Sequence, residues 1–187
     1  DQVTGFVRVL RRLEDAHGLP DGRLRFEIQV ETPQSVLAAD GRVALPSLVS
    51  AADGRCAGLH FGTYDYTTAL GVAAAQQSLD HPAADFAKAL MQVAAAGTGV
   101  RLSDGSTNLL PVGDEAAVRA GWREHARLVR RSLGRAFYQG WDLHPHQLPS
   151  RFVATFAFFR AGLPPTAARL RDYAERSDGG VIDEPAT

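Results

Sequence analysis

The sequence predicts an α/β protein with a parallel sheet, because strand-like runs alternate with helical patterns and most helical patterns have a recognisable start or stop. Four short apolar runs are separated by a few tens of residues. They cover residues 24–30, 57–61, 100–103 and 137–143. Such alternation is typical of βαβ units, which build parallel sheets. A doubly wound sheet and a (β/α)8 barrel both satisfy this pattern.

The helical segments are predicted from their apolar spacing and from residues that typically start or end helices. Residues 3–16 have a helical pattern before the first strand. Pro82 suits the first turn of a helix, and apolar residues recur after it at helical spacing. Asp114 is a typical N-cap, and Gly134 is a typical terminator of the amphipathic segment between them.

The last part of the chain is predicted to hold two helices. Residues 151–161 and 166–176 have helical patterns. The Gly-Leu-Pro-Pro sequence at 162–165 predicts an interruption between them, because glycine and proline favour turns.

Composition excludes several classes of partner. The 187 residues suit one domain with a sizeable core. The 20 basic and 21 acidic residues give a net charge of −1, so no nucleic acid or acidic membrane surface is expected as a partner. The single cysteine, Cys56, excludes an internal disulfide and suits a reducing compartment. Without a signal-peptide pattern or an apolar membrane span, we expect a cytoplasmic protein.

Two acidic residues just beyond strand-like runs are the main candidates for chemistry. Glu31 follows the first run, and Asp65 lies shortly after the second. Carboxylates at the ends of neighbouring parallel strands can hold one divalent cation with open positions for a small keto acid, whose enolate the cation stabilises. The alternative is that Glu31 caps the next segment and Asp65 is a turn residue. No glycine-rich phosphate-binding motif follows a strand, which weakens nucleotide-binding readings.

Histidines and glycines near these strands have simpler interpretations. His144 and His146 have a spacing that could suit a metal, but a third ligand with matching spacing is absent, so hydrogen-bonding roles are favoured. His60 is predicted to be a core or near-core residue. Gly62 and Gly105 are expected to serve tight backbone turns beside the site.

Five segments, in order, resemble motifs of the HpcH/HpaI aldolase and citrate lyase β-subunit superfamily, which includes malyl-CoA lyases. Together they span residues 24–187, and the second also resembles a malate synthase motif. The segments are Val-Glu-Thr at 30–32, Gly-Thr-Tyr-Asp-Tyr at 62–66, Ser-Asp-Gly at 103–105, Trp-Asp-Leu-His-Pro-His-Gln-Leu at 141–148, and Ser-Asp-Gly-Gly-Val-Ile-Asp-Glu-Pro at 177–185.

The resemblance implies a (β/α)8 TIM barrel of which this chain holds the C-terminal half. Residues 1–161 would be the C-terminal part of the barrel, and residues 162–187 the start of a C-terminal helical extension. A whole barrel usually needs about 250 residues. The strands of the first half, and the substrate-binding arginine of the family, would therefore come from residues outside this sequence.

The resemblance also implies the site. Glu31 and Asp65 would bind Mg2+, with Mn2+ as a possible substitute, and Thr32 and Asp104 would contact substrate. Asp183 would be the catalytic acid, reaching into a neighbouring subunit of a homo-oligomer, a trimer or hexamer. A CoA thioester is then a possible substrate.

The implied activity is a magnesium-dependent carbon–carbon lyase or aldolase acting on a keto or hydroxy acid through a metal-bound enolate. Two alternatives stay open: a phosphoenolpyruvate- or pyruvate-using transferase or hydrolase on the same barrel, and a catalytically silent barrel that acts as a binding protein. The 34 residues between Glu31 and Asp65 exceed the usual family spacing, and Tyr64 and His146 replace smaller family residues. These departures concern the substrate more than the metal.

Overall fold

The computed structural model describes residues 2–175, which contain a four-stranded parallel sheet flanked by helices. The strands are β1 Phe26–Val30, β2 Cys56–Phe61, β3 Arg101–Asp104 and β4 Gln139–Gly140. They lie side by side in chain order, and every neighbouring pair is parallel. The predicted α/β class and parallel sheet are confirmed. Closure of these strands into a barrel stays a prediction.

Seven α-helices precede, connect and follow these strands within the described range. They are α1 Gln2–His17, α2 Pro33–Val36, α3 Leu45–Ala51, α4 Thr63–Ala69, α5 Pro82–Ala95, α6 Glu115–Gly134 and α7 Leu148–Ala174. Both predicted starts are confirmed: Pro82 opens α5, and the Asp114 carboxylate accepts a hydrogen bond from the Ala117 amide at 2.8 Å. No helix within residues 2–175 combines the length and the hydropathy needed to cross a bilayer.

The prediction of two separate helices at the end of the chain is wrong, because α7 runs without interruption through residues 162–165. Pro164 and Pro165 lie inside this helix. Proline removes a helical hydrogen bond but its fixed φ is itself helical. Residues 159–167 are exposed, so water can satisfy the carbonyls that the prolines leave free. The predicted domain division after residue 161 falls inside α7.

The two faces of the sheet have different chemistry. Ile28, Val30, Leu59 and Phe61 belong to the apolar core between sheet and helices. Side chains alternate between the faces of a strand, so Glu27, Gln29 and His60 share the opposite face. That face is polar, and its carboxyl-terminal edge carries the candidate site.

A buried ion pair ties the first helix to the loops around β1. Arg55 donates from Nη1 to Glu14 Oε1 at 2.7 Å, and both side chains are almost fully buried. Glu14 also accepts the Leu24 amide at 2.6 Å. The hydrogen bond from Arg55 lowers the pKa of Glu14 to about 2, from an ordinary value of 4.5. The pair therefore stays charged at neutral pH.

Candidate metal and substrate site

Glu31 and Gly62 are direct neighbours at the carboxyl edge of the sheet. Val30 and Phe61 are the last residues of β1 and β2 and pair in register, and the Gly62 amide donates to the Val30 carbonyl at 2.9 Å. A Cβ added to Gly62 would lie 2.6 Å from Glu31 Cβ and 3.2 Å from Glu31 Oε2. Because such a contact is too close for two carbons, only glycine lets the Glu31 side chain lie over the end of β2.

Asp65 lies in the first turn of α4, three residues after Gly62. Its side chain is exposed and makes no hydrogen bond or ion pair with another residue in the range 2–175. Glu31, by contrast, accepts a hydrogen bond from Gln29 Nε2 to Oε2 at 2.6 Å. The structure thus leaves one fixed and one free carboxylate on this edge of the sheet.

A cleft of about 150 Å³ is lined by Asp65 and by Gly62, the glycine that Glu31 contacts. Side chains from all four parallel strands or the loops after them contribute to its wall. The wall includes Gln29, His60, Thr63, Asp65, Gly105 and Trp141. This volume suits a small organic acid with a few waters.

His60 forms the floor of the cleft. Its ring stacks on Trp141 with centroids 3.4 Å apart and an angle of 18° between the planes. His60 Nδ1 lies 2.9 Å from Ser103 Oγ. Burial lowers the pKa of His60 to about 4, so the imidazole is neutral at physiological pH. The sequence indicates only a near-core histidine, although its position two residues before Gly62 places both on one face of β2.

Gly105 and Thr63 approach each other closely at the end of β3. A Cβ on Gly105 would lie 2.1 Å from Thr63 Oγ1 and 3.0 Å from the Phe61 carbonyl oxygen. The Thr63 hydroxyl is buried and has no hydrogen-bond partner within the described part of the chain. Gly62 and Gly105 are therefore needed for close approach, since neither has a positive φ.

Asp104, a predicted substrate-binding residue, points to the helices rather than to the cleft. Its Oδ2 lies 3.2 Å from Lys88 Nζ and accepts a hydrogen bond from Ser132 Oγ at 2.6 Å. Its Oδ1 accepts the Gly105 amide at 2.9 Å. Burial lowers the pKa of Lys88, and the attraction of Asp104 opposes that shift. Both carboxylate oxygens of Asp104 are hydrogen-bonded within the protein. The structure therefore does not support Asp104 as a substrate ligand.

The other two predicted site residues are Thr32 and Asp183. Thr32 is the N-cap of α2, where its hydroxyl accepts the Ser35 amide at 3.3 Å and its carbonyl accepts the Ser35 hydroxyl at 2.6 Å. Thr32 follows Glu31 directly, and its substrate-binding role stays a prediction. Asp183 lies outside the described residues.

The loop after β4 is held by one buried glutamine. Gln147 Oε1 accepts the amides of Leu143 at 2.7 Å and His144 at 3.2 Å, and its Nε2 donates to the Thr107 carbonyl at 3.1 Å. His144 Nδ1 in turn accepts the His146 amide at 3.2 Å. These contacts fix the loop that carries Trp141.

A divalent cation fits the donor set of Glu31 and Asp65. Carboxylate oxygens are the ligands that Mg2+ prefers, and Mg2+ commonly uses only one or two protein carboxylates with water and substrate completing its shell. Across residues 2–175 no group of three or more His, Cys, Asp or Glu side chains is arranged to hold a metal ion. A cation held by Glu31 and Asp65 alone would need water or a bound ligand to complete its shell.

The sequence model of one protein family, described as "Domain of unknown function (DUF6986)", matches residues 1–187. The chain belongs to this family. No curated protein matches the sequence significantly.

Two solved structures of other proteins have a similar fold. A citrate lyase from Burkholderia xenovorans LB400 matches with a TM-score of 0.58 and 21% identity, over 80% of this chain and 43% of that protein. A malate synthase from Haloferax volcanii, prepared with glyoxylate, matches with a TM-score of 0.52 and 20% identity, over 75% of this chain and 37% of that protein. The chain thus spans about two fifths of each, and the likeness concerns the fold.

Proposed function

We propose that this DUF6986 chain carries the metal-binding half of a magnesium-dependent carbon–carbon lyase or aldolase that acts on a small keto or hydroxy acid. Two observations support the proposal: Glu31 packs against Gly62 just beyond the carboxyl ends of two adjacent parallel strands, and Asp65 follows Gly62 in the first turn of α4. Active sites of (β/α)8 barrels form at this edge. The names of the two similar structures, a citrate lyase and a malate synthase, favour the same reaction type.

The residues of this chain divide the work between metal and substrate. Glu31 and Asp65 would hold the cation, and Gln29 would fix the Glu31 carboxylate by its hydrogen bond at 2.6 Å. Such supporting contacts orient ligands and raise metal affinity. When bound, the cation would polarise the keto acid and stabilise negative charge on its carbonyl oxygen. The cleft beside Asp65 supplies the room for that acid.

The resemblance of the terminal segment supports a CoA thioester as one substrate, with Asp183 as the acid that completes the site of a neighbouring subunit. This part of the proposal depends on assembly. A variant lacking the Asp183 carboxylate should lose turnover of CoA esters but keep metal and oxalate binding.

Thermal unfolding tests the proposal most simply. Oxalate imitates an enolate, and a ligand that binds the native state stabilises it by about 2.7 kcal/mol at a hundredfold excess over its dissociation constant. Oxalate should raise Tm only with Mg2+, and the shift should vanish in Asp65→Ala. Asp15→Ala, which removes an exposed carboxylate from α1, is the matched control and should keep the shift. An equal shift in Asp65→Ala and wild type contradicts the proposed metal site.

A further inference from the structure

The His60 imidazole has one nitrogen committed within the chain and one without a partner. Nδ1 lies 2.9 Å from Ser103 Oγ. Nε2 makes no hydrogen bond with any residue of the described range, yet His60 lines the cleft that Asp65 also lines. A polar atom that has no hydrogen-bond partner in the protein and lies at a cleft is available to a ligand.

The hydrogen bond between Ser103 and His60 is linked to the tautomer of the imidazole. The Ser103 hydroxyl can donate to His60 Nδ1 at 2.9 Å or to the Asp104 carbonyl at 3.5 Å, which is the limit of a hydrogen bond. The reverse direction, from Nδ1–H to Ser103 Oγ, would leave the hydroxyl proton with only the 3.5 Å contact, so we take Ser103 as the donor to Nδ1. A neutral imidazole whose Nδ1 accepts carries its proton on Nε2. The free nitrogen is therefore a donor.

Packing fixes the direction of this donor. The Trp141 ring stacks on the imidazole with the centroids 3.4 Å apart. The Trp141 amide in turn donates a hydrogen bond to the Asp104 carbonyl at 3.3 Å. His60 is 2% exposed, which excludes most solvent from the ring. A donor that is fixed in place and shielded from water stabilises negative charge on an oxygen more than a solvated one does. Neutral imidazoles serve as such donors in other enzymes.

We infer that His60 donates a hydrogen bond from Nε2 to an oxygen of the acid bound in the cleft, and so is a substrate-contacting residue. The inference rests on the proposed function, because the metal ligands define which cleft the acid occupies. None of the sequence motifs includes His60 as a substrate-binding residue. A donor at Nε2 would favour ligands that place an acceptor oxygen next to it.

The tautomer is tested in the unliganded full chain with 15N-labelled histidine. Two-bond 1H–15N correlation spectra distinguish protonation at Nε2 from protonation at Nδ1, and the signal missing in His60→Gln assigns the residue. The expected result is a proton on Nε2 at neutral pH, with an Nε2 shift that changes when Mg2+ and oxalate are added. A proton on Nδ1, or an Nε2 signal unmoved by bound oxalate, overturns the inference.

Affinity for oxalate in the presence of Mg2+, measured by calorimetry, tests the contact itself. A hydrogen bond to a charged oxygen corresponds to about a 10- to 150-fold change in affinity, so His60→Leu should bind oxalate weaker by that factor. His60→Gln keeps a donor near the Nε2 position and should retain most of the affinity. His17→Gln, at an exposed histidine of α1, is the control and should match wild type.

The outcomes separate the two proposals. Wild-type binding that requires Mg2+ and is lost in Asp65→Ala, but is unchanged in His60→Leu, overturns the role of His60 and leaves the proposed function intact. Absence of Mg2+-dependent binding in the wild type overturns both. If His60→Leu does not fold, as judged by circular dichroism, the wild-type NMR result decides.

Discussion

Glu31 lies over Gly62 so closely that a Cβ on the glycine would be 2.6 Å from Glu31 Cβ. The two residues follow the paired ends of β1 and β2, and Asp65 comes one helical turn later. The position of the first proposed metal ligand thus depends on the absence of a side chain at residue 62.

Gly62→Ala should therefore weaken metal binding without removing a ligand. The added methyl group must push Glu31 away from its position, and disturbing the support of a metal ligand typically costs about 10- to 100-fold in affinity. Titration with Mn2+, followed by electron paramagnetic resonance, measures the loss. Gly5→Ala in α1, where a Cβ would meet nothing within 4 Å, is the matched control. Unchanged affinity in Gly62→Ala would mean that Glu31 is not a ligand.

Lys88→Met should strongly destabilise the fold. Lys88 and Asp104 are both almost fully buried, with 3.2 Å between Nζ and Oδ2. Removing one partner of a buried pair leaves an uncompensated charge, which costs about 3 to 5 kcal/mol of unfolding free energy. Urea denaturation measures this loss.

The double variant Lys88→Met with Asp104→Asn supplies the control for that prediction. It removes both charges and should recover a large part of the loss. A Lys88→Met protein as stable as wild type would show that Asp104 is solvated or protonated in the fold, and would reopen its predicted role as a substrate ligand.

Stability should fall with acid through Glu14. Its pKa is about 2 in the folded chain against an ordinary value of 4.5, so between these values the unfolded state binds more protons. The contribution of Glu14 is complete above pH 4.5 and is lost as pH falls through 2.

Urea unfolding across this pH window in wild type and Glu14→Gln measures the effect. The variant should be less stable at neutral pH, because Arg55 loses its buried charged partner, and its stability should depend less on pH. Equal slopes for the two proteins would contradict a lowered pKa at Glu14.

The sequence predicts the positions of β1 to β3 and the starts of α5 and α6, because local chemistry sets them; β4 is shorter than predicted, and the short helices α2, α3 and α4 are not predicted. Pro82 and Asp114 act through their own backbone and cap, and β2 begins within one residue of the predicted position. Pro164 and Pro165 lead to the wrong prediction of a break between two helices. In an exposed helix, water can hydrogen-bond the carbonyls that the prolines leave without a partner.

The direction of side chains depends on tertiary contacts that sequence position alone does not give. Asp104 is the last residue of β3, whereas Glu31 follows β1, and alternation turns Asp104 towards Lys88, a buried cation on α5. No local sequence pattern reveals this partner. His60 is an ordinary near-core histidine until Trp141, 81 residues later in the chain, stacks on it. The two-carboxylate hypothesis needs only strand order, so the sequence could supply it, and it stays a prediction.

Equilibrium binding of Mn2+ to the wild type, Glu31→Gln and Asp65→Asn tests whether these two carboxylates hold a cation. Glu27→Gln, which removes a carboxylate from the same face of β1, is the matched control. We expect one Mn2+ site in the wild type and in Glu27→Gln, with affinity lowered by about 100-fold or more in each of the other two variants, since each removes one of two protein ligands. A wild type without a site, or variants that bind Mn2+ as the wild type does, would contradict it.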